Sequence, residues 1–261
     1  MERFVLTDAQ WAKMEPHCLG KPTDPGRSGS DNRRFVEAVL WIVRTGSPWR
    51  DLPPLFGNWN TVFKRYRDWV KADVFSRIFE ACSDAPDMEY AMVDATIVKV
   101  HRHGQGAKGG LRARPSAAPR GTQSQAIGPS KGGMTTKILA LTDALGNLVR
   151  FVLLPGHRFD TVGVAPLIDG LAFEGFIADK AFDSNSIIAD LNERGAKIVI
   201  SQHPRRATPL PTDAELYKWR HLIENFFCKL KEFKRIAMRA DKTDQSFAAN
   251  IHLAAAVINS R

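Results

Sequence analysis

Cysteine is scarce in this sequence, with three residues among 261 and no two of them close together. Cys18, Cys82 and Cys228 lack the paired C-x-x-C spacing of zinc and redox motifs, which argues against a zinc site and a disulfide framework. No apolar run approaches the roughly 20 residues of a membrane helix, and the N-terminus has no basic stretch followed by an apolar core. We therefore expect a cytoplasmic protein with no signal peptide and no membrane partner.

Acidic residues are outnumbered as well. The sequence has 28 Asp and Glu against 37 Lys and Arg, which gives a formal net charge of +9. An excess of this size favours a polyanionic partner such as nucleic acid. A basic enzyme that binds no nucleic acid is the alternative that composition leaves open. The length suits one large domain or two domains of unequal size.

Residues 1–85 are predicted to form an all-α domain with the outline of a helix-turn-helix. One helix begins after Asp31 or Asn32 and ends at Gly46, a short helix is predicted at SPWRDLPPLFG, and another helix begins after Asn58. The second helix of such a motif enters a DNA groove, and its polar face offers four candidate DNA contacts. These are Asn60, Lys64, Arg65 and Arg67. A plain helical bundle with a solvated basic face explains this segment equally well.

From residue 88 the pattern changes to strands. The segment MEYAMVDATIVKV reads as a strand, and two more strands follow with a turn at Gly146 and Asn147 between them. A helix, the buried strand at GFIAD, a second helix, the strand KIVISQ and a helix over about 213–240 come next, before an apolar C-terminal helix. The order βββαβαβα is that of a ribonuclease H-like fold with a mixed sheet. We therefore predict the α/β class, with this domain over 86–261.

A long loop is expected between the first two strands, at about 101–133. It is rich in Gly, Ala, Pro and Ser and has no carboxylate. Such a composition predicts a flexible segment, either an idle linker or a clamp on the DNA backbone. Its six cations are Arg102, Lys108, Arg112, Arg114, Arg120 and Lys131.

Three carboxylates stand at positions where chemistry is expected. Asp94 lies in the middle of the first strand, where a charge is costly to bury unless it is paired or binds a metal. Asp179 ends a strand, and Glu224 lies on the helix over about 213–240. Each also has an ordinary explanation: an edge strand that faces water, a helix cap and a salt-bridge ladder.

Helical periodicity places Glu224 on one narrow stripe with four other polar residues. Its companions are Tyr217, Arg220, Lys231 and Arg235. Cleavage of a phosphodiester needs an activated water and a stabilised leaving oxygen, and two hard cations provide both. Such cations prefer carboxylate oxygens, while the cations beside Glu224 suit a DNA backbone.

These residues resemble those of the bacterial insertion-sequence transposases of the DDE type, in particular the insertion sequence 5 family. The resemblance rests on MVDATIVKVHRHGQGAKGG, on IADKAFDS and on the spacing Tyr217-x2-Arg220-x3-Glu224-x6-Lys231. The N-terminal helical stretch and LLPGHRFD are similar as well, so the resemblance covers nearly the whole chain. The chain has no large insertion before the glutamate helix, so no hairpin-stabilising subdomain is expected there.

The resemblance implies a DNA transposase that cleaves at terminal inverted repeats and transfers the freed 3′ hydroxyl to target DNA. It implies that Asp94, Asp179 and Glu224 are catalytic and hold two Mg²⁺ or Mn²⁺ ions, with Tyr217, Arg220 and Lys231 holding DNA. Two DNA ends must be paired, so we also expect a homodimer. The alternatives are a DNA-binding protein that has lost cutting, such as a repressor or a domesticated factor, and a nuclease without strand transfer.

Overall fold

The computed structural model describes residues 6–21, 23–24, 29, 31–83, 85–105, 125–206 and 209–260. Its helices are α1 (Asp8–Met14), α2 (Asn32–Thr45), α3 (Trp59–Lys71), α4 (Val74–Cys82), α5 (Val164–Ile168), α6 (Asn185–Glu193), α7 (Ala214–Tyr217), α8 (His221–Lys231), α9 (Lys234–Ala237) and α10 (Asp244–Asn259). Its strands are β1 (Tyr90–Val100), β2 (Gly128–Ser130), β3 (Gly133–Thr142), β4 (Leu148–Pro155), β5 (Gly175–Ala178), β6 (Lys197–Ile200) and β7 (Met238–Arg239). Within these residues, no helix is both long enough and apolar enough to cross a membrane.

The chain divides into two compact units. The helical unit comprises Met1–Asp84, Val100–Gln125 and Lys229–Arg261, and the sheet unit comprises Ala85–Lys99 and Ala126–Cys228. This division differs from the contiguous domains that we predicted, because α10 packs against α4 in the helical unit. The helix is apolar on most of its surface, with Phe247, Ile251 and Leu253 fully buried, so it needs helical neighbours on several sides.

In the helical unit, α2 forms where the sequence predicts it. The Asp31 side chain accepts from the backbone N–H of Arg34 at its start, and Gly46 ends it with a φ of 72°. On α3, Tyr66 and Trp69 are buried and form its packing side. The connection between α2 and α3 spans residues 46–58 and contains two 3-10 turns, whereas a helix-turn-helix uses about 3–4 residues. The short connection lies instead between α3 and α4, at Ala72 and Asp73.

A buried polar network links the helices of this unit. The Tyr66 hydroxyl lies 2.9 Å from Asn250 Oδ1, and the Asn250 amide donates to Asp241 at 2.9 Å. The Arg235 guanidinium donates to the same carboxylate, with Nη2 2.9 Å from Oδ1. Burial, followed by the charge of Asp241, raises the pKa of Tyr66 well above its ordinary value. The network satisfies a buried carboxylate that would otherwise be costly.

The sheet unit has the predicted topology. Its strand order is β4-β3-β1-β5-β6, with β3 antiparallel to β1 and β4, and with β5 and β6 parallel to β1 and β5 respectively. Three antiparallel strands followed by two parallel strands form the mixed sheet of a ribonuclease H-like fold, so the predicted fold class is confirmed. One face of the sheet packs on α5 and α6, with Val93, Leu139 and Phe176 in that core.

Two predicted segments differ from the structure. Part of the loop predicted at 101–133 is ordered, because β2 pairs with β3 at its far end, while residues 106–124 lie outside the described residues. The helix predicted over about 213–240 is wrong as a single element. It is divided into α7, a 3-10 turn, α8 and α9, and Phe233, which is 5% exposed, has an extended backbone between α8 and α9. No Gly or Pro marks this break in the sequence, so packing of the Phe233 ring overrides helical propensity.

Candidate active site

Neighbouring parallel strands bring Asp94 and Asp179 side by side. The register of β1 and β5 pairs Met92 with Ile177 and Val93 with Ala178, so the next positions are Asp94 and Asp179. The backbone of Asp179 is still extended, with φ −81° and ψ 177°. Since side chains alternate along a strand, the two carboxylates point to the same sheet face, on strands about 4.8 Å apart.

Asp94 lies in a partly buried position, with a side chain that is 16% exposed. Its Oδ1 accepts from the backbone N–H of Ala95 at 2.7 Å. Burial raises the pKa of Asp94, the Ala95 N–H and Arg220 oppose this rise, and the charges of Asp179 and Glu224 add to it. All three predicted carboxylates therefore share one electrostatic environment.

Arg220 joins two of the three carboxylates. Its Nη1 donates to Asp94 Oδ2 at 2.7 Å, and its Nη2 donates to Glu224 Oε1. Burial disfavours the charged guanidinium, but Asp94, Glu224, Tyr217 and Asp179 outweigh that effect and raise the pKa of Arg220. The 3-10 turn Lys218–Arg220 packs against β5, the strand that Asp179 follows. Arg220 thus holds Glu224 close to Asp94.

Asp179 also has the structural role that its sequence position allows. Its Oδ1 accepts from the backbone N–H of Ala181 at 2.8 Å and caps the 3-10 turn Lys180–Phe182. The neighbouring Asp183 accepts from the backbone N–H of His203 at 2.8 Å and pairs with Arg206. The second Oδ atom of Asp179 takes no part in the capping bond, so the carboxylate can cap and bind a ligand at once.

The three carboxylates are ligands of the kind that a hard cation prefers, but the Arg220 guanidinium lies between two of them. Within the described ranges, no three His, Cys, Asp or Glu side chains are close enough together to hold a metal ion. The Arg220 guanidinium lies between Asp94 and Glu224 and forms an ion pair with each of them. The register of β1 and β5 places the carboxylates of Asp94 and Asp179 side by side, and carboxylate oxygens are the donors that a hard cation prefers.

The other DNA contacts predicted on the helix of Glu224 differ in their exposure to solvent. Tyr217 is partly exposed at the end of α7, and Lys231 is exposed in the last turn of α8. Arg235 does not share their surface, because the chain turns after α8 and buries this side chain to 8% exposure against Asp241. We therefore leave Arg235 out of any proposed DNA surface.

The candidate contacts on α3 separate in the same way. Asn60, Lys64 and Arg67 are exposed. The Arg65 guanidinium lies 4.3 Å above the ring of Phe35 and donates to the carbonyl of Leu19 at 3.3 Å. Desolvation lowers the pKa of Arg65. Its contacts stabilise the helical unit and leave less of the guanidinium for a phosphate.

Sequence reasoning missed two features of this site. The spacing of Arg220 and Glu224 is helical and predicts their contact, but nothing in the sequence indicates that Arg220 also reaches Asp94, 126 positions away. Phe159, in the turn after β4, has a side chain that is 80% exposed. Its apolar character predicts burial, so only the fold reveals the exposure.

Comparison with known protein families shows to which family the chain belongs. Residues 6–79 match the family described as "Putative transposase of IS4/5 family", and residues 86–259 match the family described as "Transposase DDE domain". The second match covers most of the chain, which therefore belongs to the DDE-domain transposases. The two family matches meet near residue 85. The compact units differ from this boundary because α10 packs in the helical unit.

Two curated relatives match parts of this chain. A putative transposase for the insertion sequence element IS6501 of Brucella ovis is 41% identical over 127 residues, which are 48% of this chain and 98% of that protein. The uncharacterized protein y4sN of Sinorhizobium fredii is 34% identical over 115 residues, which are 44% of this chain and 90% of that protein. Each relative therefore corresponds to about half of this chain.

Solved structures give weaker likenesses. The piggyBac transposase synaptic complex with hairpin DNA aligns with a TM-score of 0.40 and 12% identity, over 79% of this chain and 51% of that chain. The Mos1 strand transfer complex aligns with a TM-score of 0.28 and 11% identity, over 80% of this chain and 82% of that chain. At these scores the alignments add nothing to the topology described above.

Proposed function

We propose that this DDE transposase cleaves DNA at the terminal inverted repeats of an insertion element and joins the freed 3′ hydroxyl to target DNA. One observation carries the proposal. Asp94 and Asp179 occupy matching positions on adjacent parallel strands, and Arg220 holds Glu224 beside Asp94. Two acids thus lie side by side on one face of the sheet, and Arg220 joins the third to Asp94.

Two Mg²⁺ or Mn²⁺ ions are the cofactor that this donor set suits. Asp94, Asp179 and Glu224 are the residues that would hold these ions. When bound, such ions activate a water and stabilise the leaving oxygen of a phosphodiester. The Arg220 guanidinium, once released by the carboxylates, has donors in the planar fork geometry that matches a DNA phosphate.

The DNA itself would contact cations and amides outside the acids. We propose Tyr217, Arg220, Lys231 and the exposed α3 residues as its contacts. Those α3 residues are Asn60, Lys64 and Arg67. A net charge of +9 supports a polyanionic partner, and the pairing of two ends favours a homodimer.

Cleavage and joining assays test this function. The substrates are duplexes made from the inverted repeats that flank the reading frame, incubated with Mg²⁺ and a target plasmid. We expect cut ends and joined products with the unaltered protein and neither product with Asp94→Asn. Asp190→Asn is the matched control, because this carboxylate pairs with Arg194 on the surface of the same unit and lies outside the site. Full activity of Asp94→Asn contradicts the proposal.

The same assay separates the two alternatives. A DNA-binding protein without cutting activity would shift the terminal-repeat duplex in a gel and give no metal-dependent product. A nuclease without strand transfer would cut the duplex but would not join a pre-cleaved end to the plasmid.

A further inference from the structure

Phe159 is a large apolar side chain that the fold leaves in solvent. Its side chain is 80% exposed, and it lies between Arg158, which is exposed, and Asp160. Single exposed apolar residues are common on protein surfaces and need a second observation before they carry meaning. Here the local backbone and the position in the sheet unit provide it.

The turn that carries Phe159 is fixed on both sides. Before it, the Gly156 N–H donates to the Thr135 carbonyl at 3.2 Å and the Arg158 N–H donates to the Pro155 carbonyl at 2.9 Å. After it, Asp160 pairs with Lys137 at 2.8 Å, with side chains only 20% and 13% exposed. An ordered backbone therefore presents the ring, so little conformational entropy is lost when a ligand contacts it.

This turn is a direct neighbour of the candidate active site. Phe159 precedes the 3-10 turn Asp160–Gly163, and Asp179 precedes the 3-10 turn Lys180–Phe182. The two 3-10 turns contact each other. Phe159 and the proposed metal ligand Asp179 are therefore the residues that directly precede two contacting turns.

The surroundings of the ring favour nucleic acid over a protein partner. Arg158 and Lys180 are exposed beside the two turns and suit phosphates. A protein-binding surface is expected to be a contiguous apolar patch of several hundred Å². Within the described part of this turn, Phe159 and Val162, which is 47% exposed, are the exposed large apolar side chains, and two residues do not form such a patch. An exposed aromatic ring next to a cation in the chain is instead an arrangement that can stack on a nucleobase.

We propose that Phe159 stacks on an unpaired nucleobase of the DNA held at the Asp94 and Asp179 site. This inference rests on the proposed function, because it assumes that DNA occupies the site. Stacking would hold the strand in a fixed register next to the carboxylates. Since every base has a π-face, Phe159 would recognise an unstacked base without reading its identity.

Fluorescence of 2-aminopurine tests the proposal with the full chain. The probes are a short duplex with one unpaired 2-aminopurine near its end and the same duplex fully paired, both in Ca²⁺ to prevent cleavage. We expect the unaltered protein to bind the unpaired probe more tightly and to quench its fluorescence. Phe159→Ala should lose the quenching and about fivefold or more of that preference, and Phe159→Trp should retain both.

Leu145→Ala is the matched control, because Leu145 is 67% exposed in the turn between β3 and β4 and is predicted to have no DNA contact. Circular dichroism checks that each variant is folded. Equal quenching and equal preference in Phe159→Ala and the unaltered protein overturn the inference, as does a change of oligomeric state in Phe159→Ala without a change in DNA binding. Failure of the unaltered protein to bind either probe would instead count against the proposed function.

Discussion

Replacement of Arg220 by glutamine removes the cation that lies between two proposed metal ligands. Arg220 makes charge-assisted hydrogen bonds to Asp94, at 2.7 Å, and to Glu224. Each such bond contributes about 1.5–3 kcal/mol when shielded, and solvent screening reduces this value for exposed partners. The Glu224 side chain is 49% exposed and that of Asp94 is 16% exposed, so the Asp94 bond accounts for most of the effect.

We expect the Arg220→Gln protein to bind divalent ions more tightly. An ion that takes both carboxylates must first displace the guanidinium, and a net cost of about 1.4 kcal/mol corresponds to a tenfold change in affinity. Isothermal titration of the DNA-free protein with Mn²⁺ should therefore show an affinity about tenfold higher in Arg220→Gln. DNA binding should weaken in the same variant, because a phosphate contact is lost.

Arg194→Gln is the control for this titration. Arg194 pairs with Asp190 at the same i,i+4 spacing, at 3.1 Å, but contacts none of the three acids. Its loss should leave Mn²⁺ affinity unchanged. Unchanged or weaker Mn²⁺ binding in Arg220→Gln would refute the competition between Arg220 and the ion for Asp94 and Glu224.

Two further predictions concern the helical unit. Asp241→Ala leaves the buried Arg235 charge without its carboxylate, so the free energy of unfolding measured in urea should fall by about 3–5 kcal/mol. The control Asp190→Ala breaks an exposed ion pair and should lower it by less than about 1 kcal/mol. Equal losses in the two variants would contradict a stabilising role of the buried pair. Burial lowers the pKa of His252, which stacks on Phe79 with ring centroids 5.4 Å apart, to about 4. Below pH 6.5 the unfolded chain protonates this imidazole, whereas the folded protein does so only near pH 4. The free energy of unfolding should therefore decline as the pH falls from 6.5 to 4, by an amount on the order of 2–3 kcal/mol. His252→Gln should remove this part of the pH dependence. Identical pH profiles of unfolding would contradict it.

Local sequence patterns predicted the elements that hold the site. The β-branched and aromatic residues of β1 identified the strand that carries Asp94, and turn residues marked the hairpin at Gly146, whose φ is 82°. Helical spacing predicted that Arg220 and Glu224 meet. These features depend on neighbours within a few residues along the chain, and periodicity reports such neighbours directly.

Long-range packing decided what the sequence could not predict. The burial of Arg235 requires the chain to turn at Phe233, and that turn has no local signal. The place of α10 beside α4 depends on contacts between residues far apart in the chain. Arg220 and Asp94 are likewise far apart in the chain, and only the folded packing brings them together. Such positions follow from how faces are buried together, which a single sequence does not specify.

The central claim is that Asp94 binds a catalytic metal ion, and a change of ligand atom tests it most directly. In Asp94→Cys a soft thiolate replaces a carboxylate, and Mg²⁺ prefers oxygen ligands more strongly than Mn²⁺ does. We expect Asp94→Cys to be inactive in the cleavage assay with Mg²⁺ and to regain activity with Mn²⁺, while Asp190→Cys is active with both. Activity of Asp94→Cys equal to that of the unaltered protein in Mg²⁺ would contradict the claim.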